Sequence, residues 1–159
     1  MHKGKDFILA QVSNNVMQHK TLLESLEDHE KQAEDPRFRE LCTKYIPQAR
    51  QHQTMIEEYR ATLGEPSGEA FKNALGFVLG KAKDAADALR NDDFIRLVED
   101  IVMIRQAQDT YGTFAAVGER VGEPRLAELG RTLERHHDEM QREFNALIHE
   151  HFVKNAKAE

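Results

Sequence analysis

The chain of 159 residues has no tryptophan, a single cysteine, four prolines and no long apolar run, and each shortage removes a class of protein. Cys42 alone cannot close an internal disulfide, so this is not a disulfide-stapled scaffold. No stretch approaches the roughly 20 apolar residues that a spanning helix needs, and the N-terminal segment has no apolar signal-peptide core. The expectation is a cytoplasmic protein with no membrane partner. An excess of basic charge is missing too: 22 Lys and Arg stand against 28 Asp and Glu, for a net charge of −6. Binding to a phosphate backbone needs a cationic stripe, so nucleic acid is not an expected partner. Sustained period-two alternation is also absent, which leaves no sheet to place.

What remains is helical. With 40% hydrophobic and 31% charged residues the chain reads as one domain, residues 1–159. Its prolines and most of its glycines fall at Asp35-Pro36, Gly64-Glu65-Pro66-Ser67-Gly68, Gly76 and Gly80, and Gly122-Glu123-Pro124. These breaks predict helices over about 5–33, 36–63, 69–90, 92–121 and 124–152. In the first, Ile8, Val12, Asn15, His19, Leu22, Leu26, His29 and Ala33 step by threes and fours, the seam of a bundled helix. The second repeats the spacing with Phe38, Cys42, Tyr45, Ala49, His52, Ile56, Tyr59 and Leu63. Asp35 is placed to cap it, and Pro47 inside it predicts a bend. The segment 69–90 reads as a crossover. The last two helices carry Phe94, Leu97, Ile101, Ile104, Gln108, Tyr111 and Ala115, then Leu126, Leu129, Leu133, His136, Met140, Phe144 and Leu147. Two hairpins joined by a long connection make an all-α, ferritin-like four-helix bundle with an additional crossover helix.

A polar layer interrupts the apolar seams at mid-height. His19 lies 17 residues before Pro36 and His52 lies 16 after it, so both sit about 25 Å from the turn at a rise of roughly 1.5 Å per residue. His136 and Gln108 fall near the middles of their helices. Three imidazoles from three helices can hold a single divalent ion such as Zn²⁺, Fe²⁺ or Mn²⁺, with Gln108 beside it. They can equally form a hydrogen-bonded core network with Asn15, Gln108, Tyr45 or Tyr111. Glu134 and His137 preserve the form of a Glu-x-x-His metal motif, although Glu134 and His136 cannot share a face. Cys42, on a seam with no His–Asp arrangement near it, reads as a small buried hydrophobe.

The segments Asp-Pro-Arg-Phe-Arg at 35–39, Gln48 through the Leu63–Gly68 turn, Phe71 to Gly80, and Ala-Gln-Asp-Thr-Tyr-Gly-Thr at 107–113 resemble the YciE/YciF-like ferritin-like family of stress-associated bacterial bundles. That resemblance implies a two-metal carboxylate site and a homodimer. Here the carboxylates are replaced: His19 stands for a Glu on the first helix, Ile104 and Ala107 for two more on the fourth, and His136 for one on the last. Ala49 stands three residues before His52 where a second Glu-x-x-His would begin. The expectation is a bundle with a degenerate di-metal site, kept for a non-catalytic interaction or assembly role in a stress response. The alternative is a mononuclear, histidine-held metal site. Phe77, Leu79, Val98 and Val102, apolar beyond one seam's needs, also point to a homodimer.

Overall fold

A computed structural model describes residues 3–64 and 92–158. Almost all of them lie in four α-helices: α1 (Lys5–Gln32), α2 (Pro36–Thr62), α3 (Asp93–Val117) and α4 (Pro124–Lys157), with a 3-10 turn at Glu119–Val121. No strand occurs among the described residues. The crossover helix expected over 69–90, with Phe77 and Leu79, lies outside them.

Local chemistry accounts for the boundaries. The Asp35 carboxylate accepts from the Arg37 backbone N–H at 2.9 Å, and Pro36 occupies the first turn of α2, where its missing N–H would have had no intrahelical partner. Asp92 caps α3 in the same way through the Phe94 N–H at 2.8 Å. Helix α2 runs on through Pro47 to Thr62. Helix α3 ends at Val117, four residues short of the expected 121, and at Gly118 the backbone of α4 comes so close that a Cβ would stand 2.5 Å from the Ala127 nitrogen. The chain then tightens into the 3-10 turn and reverses at Gly122, whose φ of 79° is left-handed. Helix α4 continues past the expected 152 to Lys157.

Each helix packs against two others, in the cyclic order α1, α2, α4, α3. Cross-links fix the directions. Asn15 reaches Tyr111 while His29 reaches Asp100, so α1 and α3 are antiparallel. Lys44 reaches Glu143 while Tyr59 reaches Glu123, so α2 and α4 are antiparallel as well. With both hairpins antiparallel, α2 and α3 run the same way on opposite corners. The chain therefore leaves the bundle at Gly64 at one end and re-enters at Asp92 at the other.

The re-entry is fastened by buried charge. Asp93 Oδ2 accepts from the backbone N–H of Glu34 and of Asp35 at 2.9 and 2.6 Å, and Arg96 donates to Asp93 Oδ1 at 2.9 Å and to the Gln32 carbonyl at 3.2 Å. One turn further, the buried Asp100 accepts from Ser25 at 2.7 Å and pairs with His29 Nδ1 at 2.8 Å. The adjacent acids Asp92 and Asp93 thus divide: Asp92 caps α3 and Asp93 is buried.

Apolar side chains fill the rest of the interior in two groups. One gathers Leu22, Leu26, Phe38, Cys42, Leu97, Ile101, Met140 and Phe144 toward the α1–α2 turn; the other gathers Val12, Ile56, Tyr59, Ala107, Phe114, Leu129 and Leu133 toward the α3–α4 turn. The histidine layer lies between them. On α3 and α4 the seam differs from expectation: Ala107 and Phe114 are buried where Gln108 and Ala115 were expected, and His137 replaces His136.

Helices α3 and α4 touch backbone to backbone at Gly130, where a Cβ would meet the Ala115 nitrogen at 2.4 Å and the Tyr111 carbonyl at 2.6 Å. Neither atom can yield without moving a helix. Gly130→Ala is expected to cost about 1–3 kcal/mol of stability by overpacking, measured by urea unfolding. A loss below a few tenths of a kcal/mol would show that the helices are not so closely apposed.

Candidate metal centre

The side chains His19 on α1, His52 on α2 and His137 on α4 are fully buried, and one ring nitrogen from each lies within 4.8 Å of one from each of the others. Ring centroids stand 5.9 Å apart for His19–His52, 5.8 Å for His19–His137 and 5.3 Å for His52–His137. Each histidine spends one nitrogen on the protein. His19 Nδ1 meets Gln53 Oε1 at 2.8 Å, His137 Nδ1 meets the Leu133 carbonyl at 2.8 Å, and His52 Nε2 meets His136 Nδ1 at 2.8 Å. The other nitrogens, Nε2 of His19, Nδ1 of His52 and Nε2 of His137, are buried and have no hydrogen-bond partner.

Two of those partners settle a tautomer. An amide oxygen and a peptide carbonyl can only accept, so His19 and His137 carry their proton on Nδ1 and present a bare lone pair at Nε2. The Gln53 amide is itself oriented, donating through Nε2 to Glu57 at 2.7 Å and to the Val16 carbonyl at 3.3 Å. The proton between His52 Nε2 and His136 Nδ1 can belong to either ring; when His52 carries it, the lone pair of His52 is at Nδ1. Three buried ring nitrogens with no hydrogen-bond partner, on histidines that each bring a ring nitrogen within 4.8 Å of the others, suit a cation's ligand set, with Gln53, His136 and Leu133 as the outer hydrogen bonds that hold ligating imidazoles in place.

The same surroundings keep the rings neutral. Burial, reinforced by the neighbouring histidines, pushes the pKa of His52 down to about 2 and that of His137 to about 3. Burial also lowers that of His19, against the opposing effects of Gln53 and Glu57. Cys42 is buried and its thiol pKa is driven up by desolvation, so it is no nucleophile.

Of the residues expected here, His19 and His52 stand as read. His137 takes the inward place expected for His136, which is half-buried and stacks on His52 at 5.0 Å. Gln108 does not join the layer: it is half-buried and bonds Asp138 at 3.3 Å. Glu134 is also outside the cluster, its carboxylate lying over Gly112 of α3. Sequence reasoning missed Gln53 as a partner of His19; its place one residue after an inward histidine was the available signal. The pairing of Asn15 with Tyr111 and of His29 with Asp100 sets Ala107 opposite His19, so α3 contributes a methyl group to the layer rather than a ligand.

Comparison with models of known protein families, with curated proteins and with solved structures finds no match. Among the described residues no helix is long and apolar enough to cross a membrane.

Neutral burial of three histidines has a pH signature. Their folded pKa values lie below the unfolded value near 6.5, so below that pH the unfolded chain takes up protons that the folded metal-free protein refuses. Stability is therefore expected to fall as pH drops from about 6.5, by up to about 1.4 kcal/mol per pH unit for each histidine, before the carboxylates titrate. Urea midpoints of EDTA-treated protein between pH 7.5 and about 5 check this. A flat profile would mean that the rings are solvated or already charged.

Proposed function

We propose that this chain is a divalent-cation-binding bundle protein, ferritin-like in the arrangement of its two hairpins, in which His19, His52 and His137 hold one ion. The observation that carries the reading is a buried cluster of three histidines, each with a ring nitrogen within 4.8 Å of the others and each keeping one buried ring nitrogen without a hydrogen-bond partner. A hydrogen-bonded core network, the competing account of the layer, would use both nitrogens of each ring; here one of each is left over. An unpaired buried acceptor costs about 1–3 kcal/mol, and three in one place are tolerated far more easily if a cation supplies the missing partner.

The donor set selects the ion. Neutral imidazoles suit Zn²⁺ and, among the other first-row ions, Fe²⁺, Ni²⁺ or Cu²⁺, whereas Mg²⁺, Ca²⁺ and Mn²⁺ favour oxygen. Zinc held by nitrogens at about 2.0–2.1 Å in tetrahedral geometry needs ligand atoms closer together than the 4.8 Å limit seen here, a closure that small side-chain rotations supply. The two-metal site implied by the resemblance does not fit. It needs carboxylates between the ions, and the only group of ligating side chains among the described residues is the histidine triad. The homodimer stays part of the proposal, supported by Ile95 and Val102 on the outer face of α3, 36% and 59% exposed. A light-scattering mass near 18.3 kDa at micromolar concentration would overturn it.

Protein prepared without a histidine tag or nickel column, then stripped with EDTA, is expected to take up one Zn²⁺ per chain. Its stability should rise by about 2.7 kcal/mol at a hundredfold excess over Kd. His52→Ala and His137→Ala abolish uptake. His136→Ala, which removes only an outer partner, should keep stoichiometric binding with roughly 10–100-fold weaker affinity. Gln108→Ala and Glu134→Gln leave it unchanged. A melting temperature unmoved by Zn²⁺ and by Fe²⁺ would defeat the metal reading.

A further inference from the structure

Three protein ligands leave a tetrahedral ion with one corner, and the residues around the layer bear on what fills it. Asn15 is fully buried on α1, one turn before His19 and on the same face, which puts the two side chains roughly 6 Å apart. Its Nδ2 donates to the Tyr111 hydroxyl at 3.2 Å, and that fixes the amide so that Oδ1 is turned away from Tyr111. The Oδ1 atom is buried and has no donor. The Tyr111 ring in turn lies 4.9 Å from that of His137, so Asn15, Tyr111, His137 and His19 form a continuous wall on one side of the layer. At the level of His19, α3 presents Ala107, which offers a methyl group and no ligand atom.

We infer that the fourth ligand of the ion is a water-derived oxygen, held by a hydrogen bond to Asn15 Oδ1, with Tyr111 as the positioning residue that aims the amide. The inference rests on the metal reading above. Bound water has two protons and one coordinating lone pair, so it satisfies the ion and the orphan carbonyl oxygen together. A carbonyl oxygen that coordinated directly would close the site and leave nothing to exchange. The position therefore accepts small monodentate anions in place of water. Because such an anion brings no proton, its binding leaves Asn15 Oδ1 unpaired again, and Asn15 makes the site favour water over the anion.

Cobalt substitution reads this directly. Stripped protein loaded with Co²⁺ should show the strong visible absorption of a four-coordinate ion, and titration with sodium azide should shift those bands to a new end point. Asn15→Ala should retain Co²⁺ and bind azide about fivefold more tightly, the equivalent of one neutral hydrogen bond. Tyr111→Phe, which keeps the ring against His137 and frees only the amide, should move azide affinity in the same direction by less and serves if Asn15→Ala does not fold. Bands indifferent to azide in the wild type, or azide affinity identical in wild type and both variants, would overturn the inference while leaving the triad standing. Failure of the wild type to bind Co²⁺ at all would overturn the metal reading, and this inference with it.

Discussion

Three histidines buried inside the bundle each keep one ring nitrogen without a hydrogen-bond partner, and the rest of the interior is arranged around that constraint. An uncharged ring must put its proton on one nitrogen; His19 and His137 commit theirs outward to Gln53 and Leu133, and His52 shares one with His136. Protonating a second nitrogen would place like charges on rings less than 6 Å apart in an apolar interior, and pKa values of about 2 and 3 for His52 and His137 express that cost. The layer can be relieved by an electron-pair acceptor that carries its own charge. Apolar groups pack on either side of the layer.

Such a layer is useful only if the helices keep their register, and the polar bonds away from it secure that. Asp93 and Arg96 fasten the start of α3 to the α1–α2 turn, and Asp100 ties α3 to Ser25 and His29. His151 reaches the Asp35 cap at 2.7 Å, binding the far end of α4 to the same corner. Gly118 and Gly130 then let α4 lie against the backbone of α3. A slip of one residue on any helix would strand buried donors and acceptors at this corner as well as at the histidines.

The sequence made the seams of α1 and α2 legible apart from Leu9, buried where Ile8 was expected, and on α3 and α4 missed by one position at Gln108, Ala115 and His136, for a reason that can be named. On α1 and α2 the apolar and polar positions alternate so sharply that one path of threes and fours fits, and Asp35-Pro36 anchors the count. From Leu133 to Met140 is a gap of seven, which a helix crosses either as three then four, through His136, or as four then three, through His137. Two adjacent histidines make both paths equally polar. From Ile104 to Tyr111 the same ambiguity offers Gln108 or Ala107, and favouring the polar residue there assumed that all four helices contribute to the layer. The close approach at Gly130 decides the phase, and that approach is a property of two backbones together. Buried Asp93 and Asp100 were illegible for a related reason: their partners are backbone N–H groups and side chains 58 to 75 residues away.

The number of ions follows from charge. Two dications about 3.5–4 Å apart, the spacing of a dinuclear centre, repel strongly in a medium that screens less than water, and such centres survive because anionic carboxylates lie between and around the metals. Here the three ligands are neutral, and the nearest negative charge acts through one amide, from Glu57 by way of Gln53 to His19. One such carboxylate at the protein surface can lessen the cost of burying a single dication; it cannot offset the repulsion of a second. On the proposed reading, a neutral imidazole triad limits the bundle to one ion, and that ion's hold depends on the hydrogen-bonded line from His19 to Glu57.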